Sequence, residues 1–226
     1  MFILKVKVIV FDLDDTLYDE IGFVKSGFQA VSEHFLPNDP NLMLDKMLET
    51  LKQHGRGKVF DKTFEHFGLY SKQKIKKALS IYRTHLPKIK LNDDAKKILE
   101  YYKKQNTPLY IVTDGNKIVQ ANKIKALNLD KWIKKAFITH RYGLAHAKPS
   151  PYCFIKIAKE EKVDYTDIAY IADNANKDFV NIKKLGFRTV RIKQGMFQDA
   201  LKPKEFHAEQ EIDSLCELKD MLKGKD

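Results

Sequence analysis

The sequence predicts an α/β fold: a doubly wound, Rossmann-like parallel sheet with a small all-helical domain inserted after the first strand. Three observations carry this. Short apolar runs, β-branched or aromatic and nearly unbroken in hydrophobicity, recur along the chain, as strands buried on both faces of a parallel sheet require. Helix-like stretches separate the later runs, and that alternation implies right-handed crossovers. A long gap follows the first run, and it holds only helical periodicities.

Taken in order, the first strand is Val6 to Phe11 and stops at Asp12. The gap then shows apolar spacings of three and four: Phe23, Phe28, Val31 and Phe35; Leu42, Leu44, Met47, Leu48 and Leu51; Phe60, Phe64 and Phe67; Ile75, Leu79 and Tyr82. Pro37, Pro40, Gly55, Gly57, Gly68 and Pro87 punctuate these stretches into about four helices. The predicted division is an α/β core of residues 1–17 and 91–226 and a helical insert of residues 18–90. In the core, Asn92 and Asp93 offer caps to a helix over Asp93–Gln105. The second strand is Leu109–Val112, followed by a helix over Ile118–Leu127. The third is Ala136–Thr139, followed by a Pro-started helix over Pro151–Glu161. The fourth is Ile168–Ala172, with a helix over Lys177–Leu185 that Gly186 ends, and the fifth is Thr189–Ile192. A closing helix spans Asp213 to Leu222, with a frayed tail from Gly224 to Asp226.

Composition narrows the function classes. The chain has 226 residues, 43% hydrophobic and 31% charged, which is too apolar for general disorder. No run of about 18 apolar residues exists, so no transmembrane helix is expected. Lys5, Lys7 and Asp12 crowd the first apolar run, which excludes a signal-peptide reading. Two cysteines, Cys153 and Cys216, do not make a disulfide framework and suit a reducing cytoplasm. Lys and Arg number 41 against 30 Asp and Glu, a net charge of +11. That excess raises a nucleic-acid partner. Its distribution argues against one: residues 17–90 carry 13 basic and 8 acidic side chains, and the rest carry 28 and 22. Neither part is a basic arm. The positive surface suits steering of small anionic substrates. The oligomeric state is not legible.

In an open α/β sheet, ligands gather at the carboxyl ends of the strands. Strand one runs into Asp12-Leu13-Asp14-Asp15-Thr16, three carboxylates whose proximity is costly unless a positive group binds there. Strand two runs into Thr113-Asp114-Gly115-Asn116, a hydroxyl beside a glycine turn with exposed amides, which is an anion cradle. Strand three leads to Lys148-Pro149-Ser150-Pro151, and strand four to Asp173-Asn174-Ala175-Asn176-Lys177-Asp178. Carboxylates after strands one and four suit Mg²⁺. A hydroxyl, backbone amides and a lysine suit a phosphoryl group. Each turn alone reads equally as a solvated loop; the four together make one site.

These residues resemble the haloacid dehalogenase superfamily, whose members are mostly phosphatases. Its Asp-x-Asp-x-Thr motif is matched by Asp12, Asp14 and Thr16, its second by Thr113, its third by Lys148-Pro149-Ser150-Pro151, and its fourth by Asp173 and Asp178. The insert is similar to the helical cap of the type-one members. The resemblance implies that Asp12 attacks phosphorus and that Asp14 serves as general acid and base. It implies that Asp12, the Asp14 carbonyl, Asp173 and Asp178 hold Mg²⁺, and that Thr113, Lys148 and amides near Gly115 hold the phosphoryl oxygens. Asp15 and Thr16 then serve the turn. Asp114 stands where the family usually has Asn. It either weakens anion binding, reaches a substrate hydroxyl or points into its own turn. Ala172 replaces a usual Gly. Asp14 favours phosphate esters over halides, since a leaving halide needs no proton. The implied enzyme is a Mg²⁺-dependent phosphatase of a small phosphorylated metabolite, a sugar phosphate or a nucleoside monophosphate. A sugar-phosphate mutase and a non-catalytic binding or regulatory protein are the alternatives. In the cap, Arg56 and Lys58, on a turn with Gly55 and Gly57, either contact substrate or sit on a solvated turn. Tyr18 and Glu20 lie behind the first motif, at the cleft or a hinge. The His140-Arg141-Tyr142 turn lies near the cleft mouth, as a substrate contact or a surface loop.

Overall fold

The structure is a computed structural model, described over residues 3–199 and 203–224. In chain order it runs β1 (Leu4–Val6), β2 (Val8–Phe11), α1 (Glu20–Phe35), α2 (Pro40–His54), α3 (Val59–His66), α4 (Lys72–Thr84), α5 (Asp93–Lys104), β3 (Leu109–Thr113), α6 (Lys117–Ala126), β4 (Lys135–Ile138), α7 (Tyr152–Glu161), β5 (Ile168–Ala172), α8 (Val180–Lys184), β6 (Arg188–Ile192), β7 (Gln210–Ile212), α9 (Leu218–Met221) and β8 (Leu222–Gly224). Two compact units emerge: Met1–Glu20 with Lys90–Asp226, and Ile21–Ile89. The first junction falls at Glu20 rather than Leu17 because Asp15 Oδ1 accepts the Glu20 amide at 2.8 Å, which holds that segment to the first unit.

The first unit is built on a six-stranded sheet of order β4-β3-β2-β5-β6-β7, parallel throughout. β2, β3 and β5 are buried along their whole length, which explains their uninterrupted apolar sequences. From β2 the chain crosses to β3 and β4 on one side and then returns to β5 on the other. The carboxyl ends of β2, β3 and β5 therefore flank the topological switch point, where an open α/β sheet leaves its ligand crevice. Tyr110, Phe137, Phe154, Tyr170, Phe179 and Phe187 lie in the core between sheet and helices.

Four local features differ from the sequence expectation, each for a visible reason. The first strand is broken at Lys7, whose amide donates to the Asp167 carbonyl at 2.7 Å and whose ammonium pairs with Asp167 Oδ2 at 3.1 Å. The helix predicted from Lys177 starts only at Val180. There the Asp178 carboxylate accepts the Asn174 amide at 3.1 Å, a local bond that competes with helical pairing. β7 is too short to show a periodicity. The closing helix shrinks to a 3₁₀ turn (Leu215–Glu217) and α9, because Leu222–Gly224 pairs with β1 instead. Gly224 thus ends a strand, and residues 225–226 of the expected tail lie outside the described residues.

The second unit is helical. Val24, Phe28, Val31, Met43, Met47, Phe60, Phe64 and Ala78 form its core. The rings of Phe28, Phe60 and Tyr82 close a mutual contact at 5.7–5.8 Å between centroids. Gly27 sits inside α1 because a Cβ there would lie 2.5 Å from the Tyr82 ring. The lost helix propensity, about 1 kcal/mol, is exchanged for that aromatic packing. Among the described residues, no helix is long and apolar enough to cross a membrane.

Candidate active site

Each turn at the carboxyl end of β2, β3 and β5, with the loop after β4, delivers one part of a single buried constellation. Asp12 follows β2 and its amide donates to the Ile171 carbonyl at 2.9 Å, so the strand pairing itself fixes it. Asp12, Asp173 and Asp178 are all buried, and one carboxylate oxygen from each lies within 4.8 Å of the others. Lys148, from the loop before α7, enters among them. Its Nζ is 3.0 Å from Asp12 Oδ1 and 2.8 Å from Asp178 Oδ1, and donates to Tyr170 Oη at 2.9 Å. Tyr170 in turn donates to Asp178 Oδ1 at 3.2 Å.

The electrostatics follow from burial and charge. Burial first, then the Asp178 charge, push the Asp12 carboxyl up to about 7 against the pull of Lys148. Burial and the charges of Asp12 and Asp178 push Asp173 up to about 9. Burial opposes the charge on Lys148, but Asp12 and Asp178 outweigh it and hold its proton more tightly than usual. One ammonium therefore serves a cluster with more negative charge than it neutralises. Asp12 Oδ1, though close to Lys148, accepts no aligned hydrogen bond. A buried carboxylate oxygen left in this way, beside two more carboxylates, is a donor set that fits a hard divalent cation.

Asp14 takes a different environment. Its Oδ1 accepts from Lys123 Nζ at 2.6 Å and from the Tyr18 hydroxyl, and its Oδ2 accepts from Gln120 Nε2 at 2.8 Å. Burial alone would raise this carboxyl; Lys123 and these donors outweigh it and hold Asp14 below the ordinary carboxylate range. Its side chain is held by donors from α6 and is not one of the three clustered carboxylates. Neighbouring acids in one turn are thus driven in opposite directions, which is how a fold separates two roles.

Thr113 ends β3 almost completely buried, and its Oγ1 accepts from Gln120 Nε2 at 2.6 Å. Gly115 follows with φ +136°, a conformation that L side chains rarely adopt. Asp114 points into the loops: Oδ1 accepts from Thr139 Oγ1 at 2.7 Å and the Lys148 amide at 3.0 Å, and Oδ2 from Lys177 Nζ at 2.8 Å. Both oxygens have protein donors, so its place as a substrate contact gives way to one tying together the loops after β3, β4 and β5. Asp15 has φ +49° and accepts the amides of Glu20 and Met196, a turn residue in its contacts. Thr16 is buried in that turn, and Glu20 Oε1 lies 3.6 Å from Lys123 Nζ. His140 and Arg141 lie on a 3₁₀ turn after β4, and Tyr142 stacks on Phe137. Arg56 and Lys58 are exposed on a 3₁₀ turn of the second unit.

Sequence reasoning missed Tyr170, Gln120 and Lys123. Tyr170 hides in an all-apolar strand. Gln120 and Lys123 gave no sequence signal: in α6 the apolar Ile118 is 47% exposed while Gln120 and Lys123 are 1% and 2% exposed, so hydrophobicity did not mark the inward face. A polar pair three residues apart on the inward face of a helix must be partnered.

The haloacid dehalogenase-like hydrolase profile matches residues 9–192. A glyceraldehyde 3-phosphate phosphatase of Pyrococcus furiosus is 29% identical over 98% of this chain and 96% of its own length. One of Methanocaldococcus jannaschii is 27% identical over 97% and 98%. Among solved structures, the HAD-hydrolase YfnB of Bacillus subtilis, bound to magnesium, superposes with a TM-score of 0.70 at 18% identity, over 96% of this chain and 98% of its own. With the site residues in the order and places described above, this chain belongs to the haloacid dehalogenase-like hydrolase family.

Proposed function

We propose that this protein is a Mg²⁺-dependent phosphatase of small phosphate monoesters, with glyceraldehyde 3-phosphate as the first substrate to test. One observation carries the reading: two carboxylates two residues apart, Asp12 among buried acids beside Lys148 and Asp14 among donors of α6. That pairing suits a nucleophile and a separate proton carrier. The names of the Pyrococcus and Methanocaldococcus relatives support the substrate class. The two free cysteines, Cys153 and Cys216, suit a reducing cytoplasm.

In the proposed reaction, Asp12 forms a bond to phosphorus as the ester P–O bond breaks, and Asp14, which must take up a proton as the ester binds because its free carboxyl is held ionised, gives that proton to the leaving oxygen. Water then attacks the aspartyl-phosphate, Asp14 takes the water proton, and phosphate leaves. Lys148 and Thr113, with the amides of the Gly115 turn, hold the phosphoryl oxygens. Asp12, the Asp14 carbonyl, Asp173 and Asp178 hold Mg²⁺. When bound, Mg²⁺ supplies positive charge that lets an anionic carboxylate and an anionic ester approach each other. Arg56 and Lys58, on the exposed turn of the second unit, are the proposed contacts for the leaving-group portion of the substrate. The test is phosphate release from a panel of phosphorylated metabolites with Mg²⁺. Interconversion of sugar-phosphate isomers without phosphate release would mark a mutase, and no turnover at all would sink the enzyme reading.

Metal dependence has a second readout in stability. Asp12 and Asp173 hold protons more tightly folded than unfolded, so metal-free stability falls as pH rises from about 4 through the raised values of about 7 and about 9. In EDTA the melting temperature should therefore drop between pH 5 and pH 8. Mg²⁺ at 100 times its Kd should add about 2.7 kcal/mol and flatten that slope. A melting curve at pH 8 that ignores Mg²⁺ would remove the metal centre from the proposal.

A further inference from the structure

Gln120 reaches both halves of the proposed chemistry from a helix that carries neither. It is 1% exposed, and its Nε2 lies 2.8 Å from Asp14 Oδ2 and 2.6 Å from Thr113 Oγ1. The amide has to present nitrogen here, since its oxygen would face a carboxylate. An NH₂ group has two hydrogens, and this one spends both. The side chain lies over Gly115, where a Cβ would come within 3.2 Å of Gln120 Cδ and Cγ. A bare Gly115 is therefore what gives the Gln120 amide room.

Two consequences follow for the reacting groups. The Thr113 oxygen is fixed as an acceptor, so its hydroxyl hydrogen turns away from Gln120, and it has no acceptor among the described residues. It is left for a phosphoryl oxygen. Asp14 Oδ1 is taken twice, by Lys123 and Tyr18, whereas Oδ2 is taken once, by Gln120. Oδ2 keeps one open lone pair.

We infer that Gln120 is a positioning residue that aligns the Thr113 hydroxyl and the Asp14 carboxyl together, leaving Asp14 Oδ2 as the oxygen open to the reacting groups. The inference rests on the phosphatase reading above. In the first half-reaction Asp14, protonated only in the substrate complex, gives its proton from Oδ2 to the leaving oxygen, which takes the electron pair of the breaking P–O bond. In the second, the open position of Oδ2 accepts the proton of the attacking water, and the carboxyl is restored.

The test uses the full chain with Mg²⁺ and two substrates. One is an alkyl phosphate, glycerol 3-phosphate or glyceraldehyde 3-phosphate, whose leaving alkoxide needs a proton. The other is 2,4-dinitrophenyl phosphate, whose leaving group departs without one. Gln120→Met removes both donors at nearly the same length, and Gln120→Glu keeps the shape without the NH₂. Both should lower kcat on the alkyl ester by about 30–100-fold, with a loss of only a few-fold on the dinitrophenyl ester. Inhibition by inorganic phosphate should weaken several-fold through Thr113. Thermal unfolding of each variant reports its folded fraction. Equal losses on the two esters would make Gln120 a packing residue and overturn the assignment alone, as would unchanged kinetics with unchanged phosphate inhibition. A wild-type protein that hydrolyses neither ester overturns the phosphatase reading, and the assignment with it.

Discussion

Asp12→Asn is expected to lower phosphate release by roughly 10⁴-fold or more at saturating Mg²⁺, with the fold retained. The amide is isosteric, so the β2 terminus and its 2.9 Å amide bond to Ile171 survive. What disappears is the anionic oxygen that attacks phosphorus, and no neighbour can replace it. Asp173 and Asp178 are buried in the same cluster but leave from β5, and Asp14 is turned toward Lys123. The stability effect should run the other way. Burial and Asp178 make the ionised Asp12 unfavourable in the metal-free protein, and Lys148 keeps its 2.8 Å pair with Asp178. The variant should therefore melt at or above the wild-type temperature in EDTA and gain less from Mg²⁺. Phosphate release together with paired melting curves checks this. Turnover within tenfold of wild type would remove Asp12 as the nucleophile.

The contrast between Asp12 and Gln120 shows what the sequence made legible. Asp12, Thr113, Lys148 and Asp173 each follow a recognisable strand, and strand ends in a doubly wound sheet converge at one place. Order along the chain therefore predicted proximity in space. Gln120 and Lys123 converge through a helix face, where a residue three positions away can face solvent or the site. Their orientation depends on how α6 packs, and that is set by residues on other elements. Asp114 shows the opposite failure. Its position near the phosphate cradle was visible, but its direction was decided by Thr139, the Lys148 amide and Lys177, which are remote in sequence. Tyr170 sits on the buried β5, where the apolar run that revealed the strand also concealed its hydroxyl.

Lys148→Met should give the largest loss of stability in the metal-free protein and also remove activity. The ammonium is 1% exposed between Asp12 and Asp178, with Tyr170 as its third partner. Methionine preserves most of the stem's packing, so the change isolates the charge. Removing one partner from a buried ion pair costs about 3–5 kcal/mol. At about 2–4 °C per kcal/mol for a domain of this size, the melting temperature should fall by about 10 °C. The deficit should depend on pH with a definite sign. Without the lysine, Asp12 loses the charge that offsets its burial, so it favours the protonated form more strongly when folded. Stability then falls as pH rises, and the deficit should be larger at pH 8 than at pH 5. Mg²⁺ brings positive charge to the same cluster and should recover part of the stability. It should not recover turnover, because Lys148 also holds the phosphoryl group in the proposed reaction. Recovery of both by Mg²⁺ would make Lys148 a counter-ion only. A deficit of equal size at both pH values would mean that the lysine stabilises the fold through its methylenes and not through its charge.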